Sequence, residues 1–599
     1  MCAVFGIVGP YREQQAKSAL AKLNHRGPDF CGITQRENLF FAHQRLTIID
    51  SHQRSHQPIQ YKNILLSFNG EIYNFKELKK ELDFEFQTQS DSEVIIASYL
   101  KWGVDFVQHL RGMFAIALMD GDTLYLFRDR LGKKPLFFME GKSFIFASEI
   151  KALTPFLNQT QINNDALLSY LSFLAPTPPH TFYIGIKKLS AGEFLRYKNG
   201  KVQVKRYFDL LNTQPNIIID RDEAIFTLER FLDEAISMRL NADVPMASLL
   251  SGGIDSATIN AYALKNRIKL DTYTLGYREF AKYDERANAR ESAEFLGLTN
   301  NEVIIGQEEF INASEKVFDA LDEPLNDPAS IPLYLLFERI KNDGYKVVMS
   351  GEGSDELFLG YRQYFEYLDI ESAANLAHKN WLKKYFRANF SMNREWEWYK
   401  RIFDDTLLFR TSGDKFTDLQ KNNLMRRNVK DNESLKYLKP YRDRFESSPH
   451  RDESIWYSYI DLNLFQAEHF LTKLDRVSMA HSIESRTPFL DHKLASVVFS
   501  IDPKLRYEDG VTKSLLKDIM KPMLSEKILK RKKKGFANPY MEYLINSQKI
   551  GVIKEVNKQT GMFKTKELDE YIELASRGSF KQHVWGLYVL SVWIKKNLL

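Results

Sequence analysis

Two acidic, glycine-containing loops in the second half of the chain have the residue types that hold a phosphate and its counter-ion. The first, LLSGGIDSA at residues 249–257, follows an apolar run and precedes a helical pattern. Gly252 and Gly253 permit a tight turn, and the N–H groups of the following helix would face an anion there. Asp255 would repel a bare phosphate, so the loop predicts a bridging cation such as Mg²⁺. The loop lacks the lysine of the Walker phosphate-binding motif. The alternative to a phosphate loop is a tight turn in which Asp255 and Ser256 cap the helix.

The second loop is VVMSGEGSDELFLGY, residues 347–361, and it also follows an apolar run. Its acidic residues include Glu352 and Asp355. In a parallel sheet the two loops would lie at the carboxyl ends of neighbouring strands, the edge at which ligands bind. We therefore expect Asp255 and Asp355 to share one Mg²⁺ ion. A solvated acidic loop is the alternative interpretation.

The first residues of the chain, MCAVFGIVGP, place Cys2 directly after the methionine. Removal of Met1 would make Cys2 the first residue, with a thiol and a free α-amine on one carbon. This arrangement suits a nucleophile whose base is its own amine. The alternative is that Cys2 is a small buried hydrophobic residue.

Length and composition indicate a globular protein of more than one domain. The 599 residues are 44% hydrophobic and 27% charged, and they are too many for one ordinary core. With 83 basic and 78 acidic residues, the net charge of +5 gives no reason to expect a nucleic-acid partner. Two cysteines, Cys2 and Cys31, exclude a disulfide framework. No apolar run approaches ~18 residues and no signal-type leader is seen, so we expect no membrane partner and a cytoplasmic location.

Strand and turn patterns divide the chain into two parts. Short apolar runs separated by turns recur to about residue 208, and several are apolar on both faces, which predicts stacked, buried sheets. After a seam near 214–224, strand and helix patterns alternate, which predicts a parallel sheet with crossover helices. From about residue 365 the pattern is mostly helical. The aromatic and charged segment 378–450 has no clear period and stays unassigned.

Both halves resemble the glutamine-dependent asparagine synthetase family. SGGIDS, SGEGSDE, KLDRVSMAHSIESRTPFLDH (473–492) and RKKKGF (531–536) resemble its N-type ATP pyrophosphatase half. MCAVFGIVG, HRGPD, RLTIID, FNGEIYNF, SDSEV and RDRLGKKPLFF resemble its class II glutamine amidotransferase half. Each motif alone is weak evidence, but together they follow the family's order across nearly the whole chain.

The resemblance implies a fold and a reaction. It implies an α+β, αββα Ntn-hydrolase sandwich as a glutaminase domain at 1–208, a linker at 209–220, and an α/β parallel-sheet ATP pyrophosphatase domain with a helical C-terminal part at 221–599. The implied reaction forms L-asparagine, L-glutamate, AMP and diphosphate from ATP, L-aspartate, L-glutamine and water. It proceeds through a Cys2 thioester, tunnelled ammonia and a β-aspartyl-adenylate. ATP, Mg²⁺, glutamine and aspartate are the implied ligands, and a homodimer is the analogy to bacterial relatives.

For the first half, the resemblance assigns Cys2 as nucleophile and the Asn69 side chain and Gly70 N–H as oxyanion donors. The implied glutamine contacts are Arg45, Asn69, Gly70, Glu71 and Asp91. A bidentate pair between Arg45 and the substrate α-carboxylate suits a planar guanidinium. Without the resemblance, Arg45 and Asp91 would be interpreted as a surface ion pair.

For the second half, the resemblance assigns the nucleotide contacts and two catalytic residues. The implied adenosine contacts are Leu250, Leu275, Ser350 and Gly351, and the implied pyrophosphate contacts are Ser251, Gly252, Gly253, Asp255 and Ser256. Glu352 is linked to adenylate formation and amination, and Lys513 to charge stabilisation on the phosphates. Lys473 and Asp475 are expected to border this site. A solvated helix lysine is the alternative interpretation of Lys513.

Three other functions stay open. The chain could amidate a different carboxylate, such as a cell-wall precursor, a sugar acid or a peptide, since Leu359, Ser485 and Thr487 depart from the family's usual residues. An RNA-modifying pyrophosphatase shares the SGGxDS loop, but residues 220–599 lack the cysteine that sulfur transfer normally requires. An inactive scaffold would be expected to have lost some of the predicted site residues.

Overall fold

The structure is a computed structural model that describes residues 2–371, 378–389, 394–430, 432–507, 510–532, 535 and 537–599. Met1, whose removal would free the α-amine of Cys2, lies outside this set. Lys533, Lys534 and Phe536 of the RKKKGF stretch also lie outside the described residues.

Short apolar segments form the strands. In chain order they are β1 (Ala3–Val8), β2 (Phe30–Arg36), β3 (Leu39–Arg45), β4 (Ile59–Tyr61), β5 (Ile64–Ile72), β6 (Gly112–Asp120), β7 (Thr123–Arg128), β8 (Phe137–Met139), β9 (Phe144–Ala147), β10 (Ile186–Lys188), β11 (Glu193–Lys198), β12 (Lys201–Arg206), β13 (Met246–Leu249), β14 (Asp271–Tyr277), β15 (Asn300–Ile305), β16 (Val347–Met349) and β17 (Glu484–Arg486).

Helices surround the sheets and dominate the C-terminal part. They are α1 (Glu13–Ala21), α2 (Phe75–Glu81), α3 (Glu93–Trp102), α4 (Asn164–Phe173), α5 (Arg221–Arg239), α6 (Ile254–Lys265), α7 (Arg286–Leu296), α8 (Gln307–Leu321), α9 (Ser330–Asn342), α10 (Ser354–Leu357), α11 (Arg362–Glu371), α12 (Lys379–Ala388), α13 (Arg394–Phe403), α14 (Asp418–Leu424), α15 (Leu435–Ser447), α16 (Glu453–Ile460), α17 (Leu471–Met479), α18 (His492–Ser500), α19 (Lys504–Tyr507), α20 (Ser514–Met520), α21 (Glu526–Leu529), α22 (Tyr540–Asn546), α23 (Gly551–Thr560), α24 (Thr565–Ser576) and α25 (Lys581–Asn597). A π-helical turn, Asp461–Phe470, joins α16 to α17.

The first part of the chain contains two antiparallel sheets. One has the order β10-β8-β9-β1-β3-β2 and the other has the order β12-β11-β7-β6-β5-β4. Side chains alternate between the two faces of each strand, so one face of each sheet is available to the other sheet. Val4, Phe41 and Leu65 belong to the apolar cluster between the sheets.

The outer face of each sheet is covered by helices. Phe5 on β1 packs in one cluster with Leu20 of α1, and Leu66 on β5 packs in another with Leu78 of α2 and Ile95 of α3. Burial on both faces explains the continuous apolar runs in these strands. The predicted αββα arrangement is confirmed.

The second part contains a five-stranded sheet with the order β15-β14-β13-β16-β17, and all of its pairs are parallel. Helix α6 connects β13 to β14, and α7 connects β14 to β15. The predicted parallel sheet with crossover helices is confirmed. Strand β17 was not predicted because its three residues, two of them charged, carry no apolar pattern.

The described residues of the unassigned segment 378–450 are largely helical and form α12, α13, α14 and α15. Trp398 packs on Tyr367 with ring centroids 4.6 Å apart, and Leu438 is buried in the main core. Trp398 therefore packs against the preceding helix α11, whereas Trp381, Tyr385 and Tyr399 are exposed. Among the described residues, no helix has both the length and the apolar character needed to cross a membrane.

Candidate active sites

Cys2 is buried at the start of β1, and its backbone is held on both sides. Its N–H donates to Asn69 Oδ1 at 3.1 Å, and its carbonyl accepts from Arg26 Nε at 3.1 Å. The sulfur lies 3.8 Å from the Leu46 carbonyl. Burial raises the pKa of the thiol, so a base must remove its proton before it can act as a nucleophile.

Asn69 has an unsatisfied donor beside this thiol. Its Oδ1 is used by Cys2, but Nδ2 is buried and has no hydrogen-bond partner among the described residues. A buried donor without a hydrogen-bond partner costs free energy unless a ligand oxygen accepts its hydrogen bond. A Cβ on Gly70 would lie 2.0 Å from the Met113 carbonyl, so only glycine allows β5 and β6 to approach here. Asn69 therefore contacts the backbone of the predicted nucleophile, and Gly70 lines the same pocket as Cys2.

Arg45 lines the same cleft as Cys2 and is buried. Its guanidinium donates to the carbonyls of Asp50 at 2.5 Å, His52 at 3.3 Å and Ile49 at 3.4 Å. The surface ion-pair interpretation is therefore wrong for Arg45, since backbone carbonyls orient it. Its positive charge faces a cleft in which a carboxylate would be favoured.

Glu71 and Asp91 line the cleft together with Glu484, so three carboxylates share one buried region. Burial, assisted by Glu484, raises the pKa of Asp91 to about 6, although the Ile72 N–H donates to it at 2.8 Å. Burial and the charges of Glu484 and Asp91 raise the pKa of Glu71 well above its usual value. The surface ion-pair interpretation is also wrong for Asp91. This region would stabilise a cation such as an α-ammonium group.

Glu484 was missed as a residue of the predicted glutamine cleft, the pocket that Cys2 and Arg45 line, because it lies in the second half of the chain, on β17. Arg486, on the same strand, donates from Nε to Glu484 at 2.6 Å and lies 3.5 Å from Glu71. The only sequence signal was the family stretch that contains ESRTPFLDH, which carried no glutamine-binding role. The parallel sheet thus supplies part of the wall of the first site.

Arg26 links the two halves of the chain directly behind Cys2. Its buried guanidinium lies 2.7 Å from both Glu149 and Asp475. Lys134 lies 3.6 Å from the same Asp475. Asp475 therefore faces residues of the first part of the chain, whereas Lys473 pairs with Asp327 at 2.8 Å.

The two acidic loops lie side by side, as expected, because β13 and β16 are paired neighbours. Ser354 Oγ donates to Asp255 Oδ1 at 2.7 Å, which joins the second loop to the first. A Cβ on Gly351 would lie 3.1 Å from the Asp255 Cβ. Leu250, which directly follows β13, and Leu275, on β14, are buried. The Ser350 N–H donates to the Arg486 carbonyl at 2.9 Å.

The first loop is braced by its own hydroxyl groups. Ser251 Oγ and Ser256 Oγ lie 3.2 Å apart, and the Gly253 N–H donates to Ser251 Oγ at 3.3 Å. Gly252 has φ +77°, and a Cβ there would lie 2.5 Å from the Asn288 carbonyl carbon. The turn opens α6, whose first N–H groups provide an anion site.

Lys513 lies between the two predicted metal ligands. Its ammonium is 2.6 Å from Asp255 and 2.8 Å from Asp355, and the side chain is buried. Burial lowers the pKa of Lys513, but the two carboxylates outweigh it, so the pKa is raised. The interpretation as a solvated lysine is wrong. A Cβ on Gly360 would lie 2.0 Å from Asp355 Oδ1 and 2.4 Å from Lys513 Cε, which explains a glycine at that position.

Asp255 and Asp355 therefore converge on one positive charge. In the described part of the chain, no group of three or more His, Cys, Asp and Glu side chains forms a metal site. Two carboxylates suffice for Mg²⁺, which usually takes one or two carboxylates together with substrate phosphates and water. The donor set fits that ion.

Glu352 and Leu359 belong to the second loop, residues 347–361. The charges of Asp327 and Glu352 raise the pKa of the Lys473 ammonium against the effect of its burial, so Glu352 acts electrostatically on Lys473. Leu359 has φ +52° and is fully buried. This backbone conformation favours glycine, which explains why the family usually has a small residue at this position.

Comparisons with known proteins find matches to both halves of the chain. Residues 1–208 match the family described as glutamine amidotransferase domain, and residues 227–595 match the family described as asparagine synthase. Glutamine-hydrolyzing asparagine synthetase 1 of Bacillus subtilis (strain 168) is 30% identical, over 100% of this chain and 97% of that protein. Amidase chry2 of Gibberella zeae is 27% identical, over 88% of this chain and 85% of that protein.

Among solved structures, glutamine phosphoribosylpyrophosphate amidotransferase from B. subtilis aligns with a TM-score of 0.28 and 17% identity. The alignment covers 50% of this chain and 65% of that chain.

Proposed function

Because the chain belongs to the glutamine-hydrolysing asparagine synthetase family, we propose that it transfers the amide nitrogen of glutamine to L-aspartate at the expense of ATP. The observation that carries this proposal is the pairing of two sites in one chain. Cys2 lies beside an unsatisfied Asn69 donor, and two acidic loops converge on Lys513. We also propose the domain limits 1–208 and 221–599 with the linker 209–220, supported by the start of α5 at Arg221. The homodimer stays a prediction.

The first half would release ammonia. After loss of Met1, the α-amine of Cys2 takes the thiol proton, and sulfur attacks the amide carbon of glutamine. Asn69 Nδ2 and the Gly70 N–H stabilise the oxyanion, and the amine returns its proton to the departing nitrogen. Water then hydrolyses the thioester to glutamate. Arg45 would hold the substrate α-carboxylate, and Glu71 and Asp91 its ammonium.

Asn69→Ala removes the donor that has no partner in the structure. We expect glutamine-dependent turnover to fall about 10²–10³-fold, the usual cost of losing one oxyanion donor. The KM for glutamine should change little, because the donor acts mainly on the transition state. Steady-state glutamate release measures this effect. Retention of wild-type kcat in a folded Asn69→Ala protein would contradict the assignment.

Glu484→Gln tests the contribution of the second half to the glutamine cleft. We expect the KM for glutamine at pH 8 to rise about tenfold, with kcat nearly unchanged, because one carboxylate near the substrate ammonium is lost. In the wild type, KM should also rise as pH falls through about 6, where Asp91 becomes protonated. Loss of the Glu484 charge lowers the pKa of Asp91, so in the variant this rise should begin at lower pH.

A matched control for Glu484→Gln is Glu323→Gln. Glu323 is a buried carboxylate that accepts from the Phe182 N–H at 2.9 Å, away from the cleft. The control should leave the KM for glutamine unchanged at every pH. Equal effects of the two variants would show that Glu484 acts only through packing.

The second half would activate the acceptor. An oxygen of the aspartate β-carboxylate attacks the α-phosphorus of ATP, and pyrophosphate leaves. Ser251, Gly252, Gly253 and Ser256 would hold the pyrophosphate, and Lys513 would neutralise negative charge as it develops. Leu250, Leu275, Ser350 and Gly351 would contact the adenosine part. Ammonia then attacks the acyl carbon, assisted by Glu352, and AMP departs.

Asp255 and Asp355 are the residues that would hold Mg²⁺. When bound, this ion supplies charge neutralisation on the pyrophosphate. Lys513 also neutralises the same two carboxylates, at 2.6 and 2.8 Å.

Another carboxylate acceptor is the alternative, because Leu359, Ser485 and Thr487 depart from the family's usual residues. A pyrophosphate-release assay with ATP, Mg²⁺, glutamine and one acid at a time tests the choice. We expect aspartate to stimulate release, with asparagine and glutamate formed in equal amounts. Active glutamine hydrolysis without aspartate-dependent pyrophosphate would overturn aspartate as the acceptor.

A further inference from the structure

Arg531 contacts the first acidic loop from outside the predicted phosphate site. Its Nη1 donates to the Gly252 carbonyl, to the Asn288 carbonyl at 3.1 Å and to Ser292 Oγ at 3.0 Å. Its Nη2 donates to Glu291 at 2.9 Å. One guanidinium therefore fastens the loop to helix α7.

The charge of Arg531 is already paired, which distinguishes it from a phosphate ligand. Glu291 binds Arg531 and also Lys527, at 2.6 Å. The Arg531 side chain is only 12% exposed. The N–H donors of Arg531 are directed at protein oxygens. Any effect of Arg531 on phosphate binding must therefore be indirect.

The direction of the Gly252 carbonyl fixes the direction of the Gly253 N–H group. In a planar trans peptide, the C=O and the following N–H point in opposite directions. Arg531 and Ser292, whose hydroxyl lies 3.4 Å from the same oxygen, hold this carbonyl toward α7. The Gly253 N–H is thereby directed to the other side of the peptide, where Ser251 and Ser256 place their hydroxyl groups.

We propose that Arg531 is a positioning residue for the pyrophosphate site, which fixes the Gly252–Gly253 peptide so that its N–H faces the phosphates of ATP. This inference rests on the proposed function of the loop. A peptide free to rotate would present its carbonyl oxygen to the phosphates part of the time, and that oxygen would repel them. Fixing the peptide in advance removes this cost from binding.

The test compares Arg531→Gln with Lys530→Gln in the full chain. Lys530 is exposed, lies in the same basic run and pairs with Glu526. Each variant removes one positive charge, so a general attraction of ATP would affect both equally. We expect Arg531→Gln to raise the Kd for MgATP and the KM for ATP about tenfold, and Lys530→Gln to leave both unchanged.

Three further measurements separate positioning from a structural role. Glutamine hydrolysis without ATP should match the wild type in Arg531→Gln, since Cys2 lies in the other half of the chain. Arg531→Lys should recover only part of the affinity, because one ammonium replaces a fork that reaches four acceptors. Ser292→Ala, which removes a second donor to the same carbonyl, should weaken MgATP binding in the same direction.

Equal Kd values for MgATP in wild type, Arg531→Gln and Arg531→Lys would overturn the inference while leaving the proposed function standing. Failure of the wild-type protein to bind MgATP would overturn both. If Arg531→Gln does not fold, Arg531→Lys and Ser292→Ala decide the question, and wild-type affinity in both contradicts it.

Discussion

Replacing Cys2 with alanine is expected to abolish glutamine-dependent asparagine formation and to leave ammonia-dependent formation intact. The loss should reach about three orders of magnitude or more, because no other group in the cleft can form the thioester. Formation from ammonium chloride should persist, since the ATP loops lie in the parallel-sheet half. Coupled measurements with glutamine and with ammonium chloride, made on the same preparation, give both rates.

Cys31→Ala is the matched control for this variant. Cys31 is the other cysteine of the chain, it is exposed, and it lies on β2 outside the glutamine cleft. It should retain both activities. Glutamine-dependent activity that survives Cys2→Ala would contradict the assignment of the nucleophile. Loss of both activities in Cys2→Ala would show that the residue is needed for structure.

Replacing Lys513 with glutamine is expected to give the opposite pattern. ATP-dependent asparagine formation should fall about 10²–10³-fold with either nitrogen source, because a positive charge next to the phosphates is lost. Glutamine hydrolysis without ATP should continue. Loss of the ammonium also leaves Asp255 and Asp355 facing each other, so Mg²⁺ should raise the melting temperature of the variant more than that of the wild type.

Lys521→Gln provides the control for Lys513→Gln. Lys513 directly precedes helix α20, and Lys521 directly follows it. Lys521 is exposed and pairs with Asp518 at 2.7 Å. It should show wild-type rates and a wild-type response to Mg²⁺. An active Lys513→Gln protein would exclude the lysine from the ATP chemistry, and identical Mg²⁺ effects in both variants would contradict the shared charge environment.

The sequence was sufficient to predict the elements that are marked by local apolar runs. The apolar runs before SGGIDS and SGEGSDE marked two strands, and their pairing in a parallel sheet brought Asp255 and Asp355 together. The stacked sheets followed from strands that are apolar on both faces. These features are local patterns that repeat over several residues.

Residues that meet through tertiary contacts were harder to predict. Glu484 lies on a three-residue strand without an apolar pattern, and only the fold brings it to the glutamine cleft. Asp475 was expected near ATP but contacts Arg26, since α17 presents it to the first part of the chain. Buried ion pairs of this kind depend on partners hundreds of residues away.

The contacts behind Cys2 bear on how the halves cooperate. Arg26 donates to the Cys2 carbonyl and pairs with Asp475. Strand β17 carries Glu484 at the glutamine cleft, and the Arg486 carbonyl of the same strand accepts from the Ser350 N–H of the second loop. A short run of backbone therefore spans the two sites. We expect ammonia released in the first site to be used in the second without exchange into solvent.

Transfer of the glutamine amide nitrogen to aspartate can be followed with an isotope label. Wild-type protein would receive ATP, Mg²⁺, aspartate and glutamine labelled with ¹⁵N at the amide, in the presence of unlabelled ammonium chloride. We expect asparagine that carries the label, formed in equal amounts with glutamate, AMP and pyrophosphate. Unlabelled asparagine would show that the two sites are not coupled, and labelled ammonia without any asparagine would contradict the proposed synthetase.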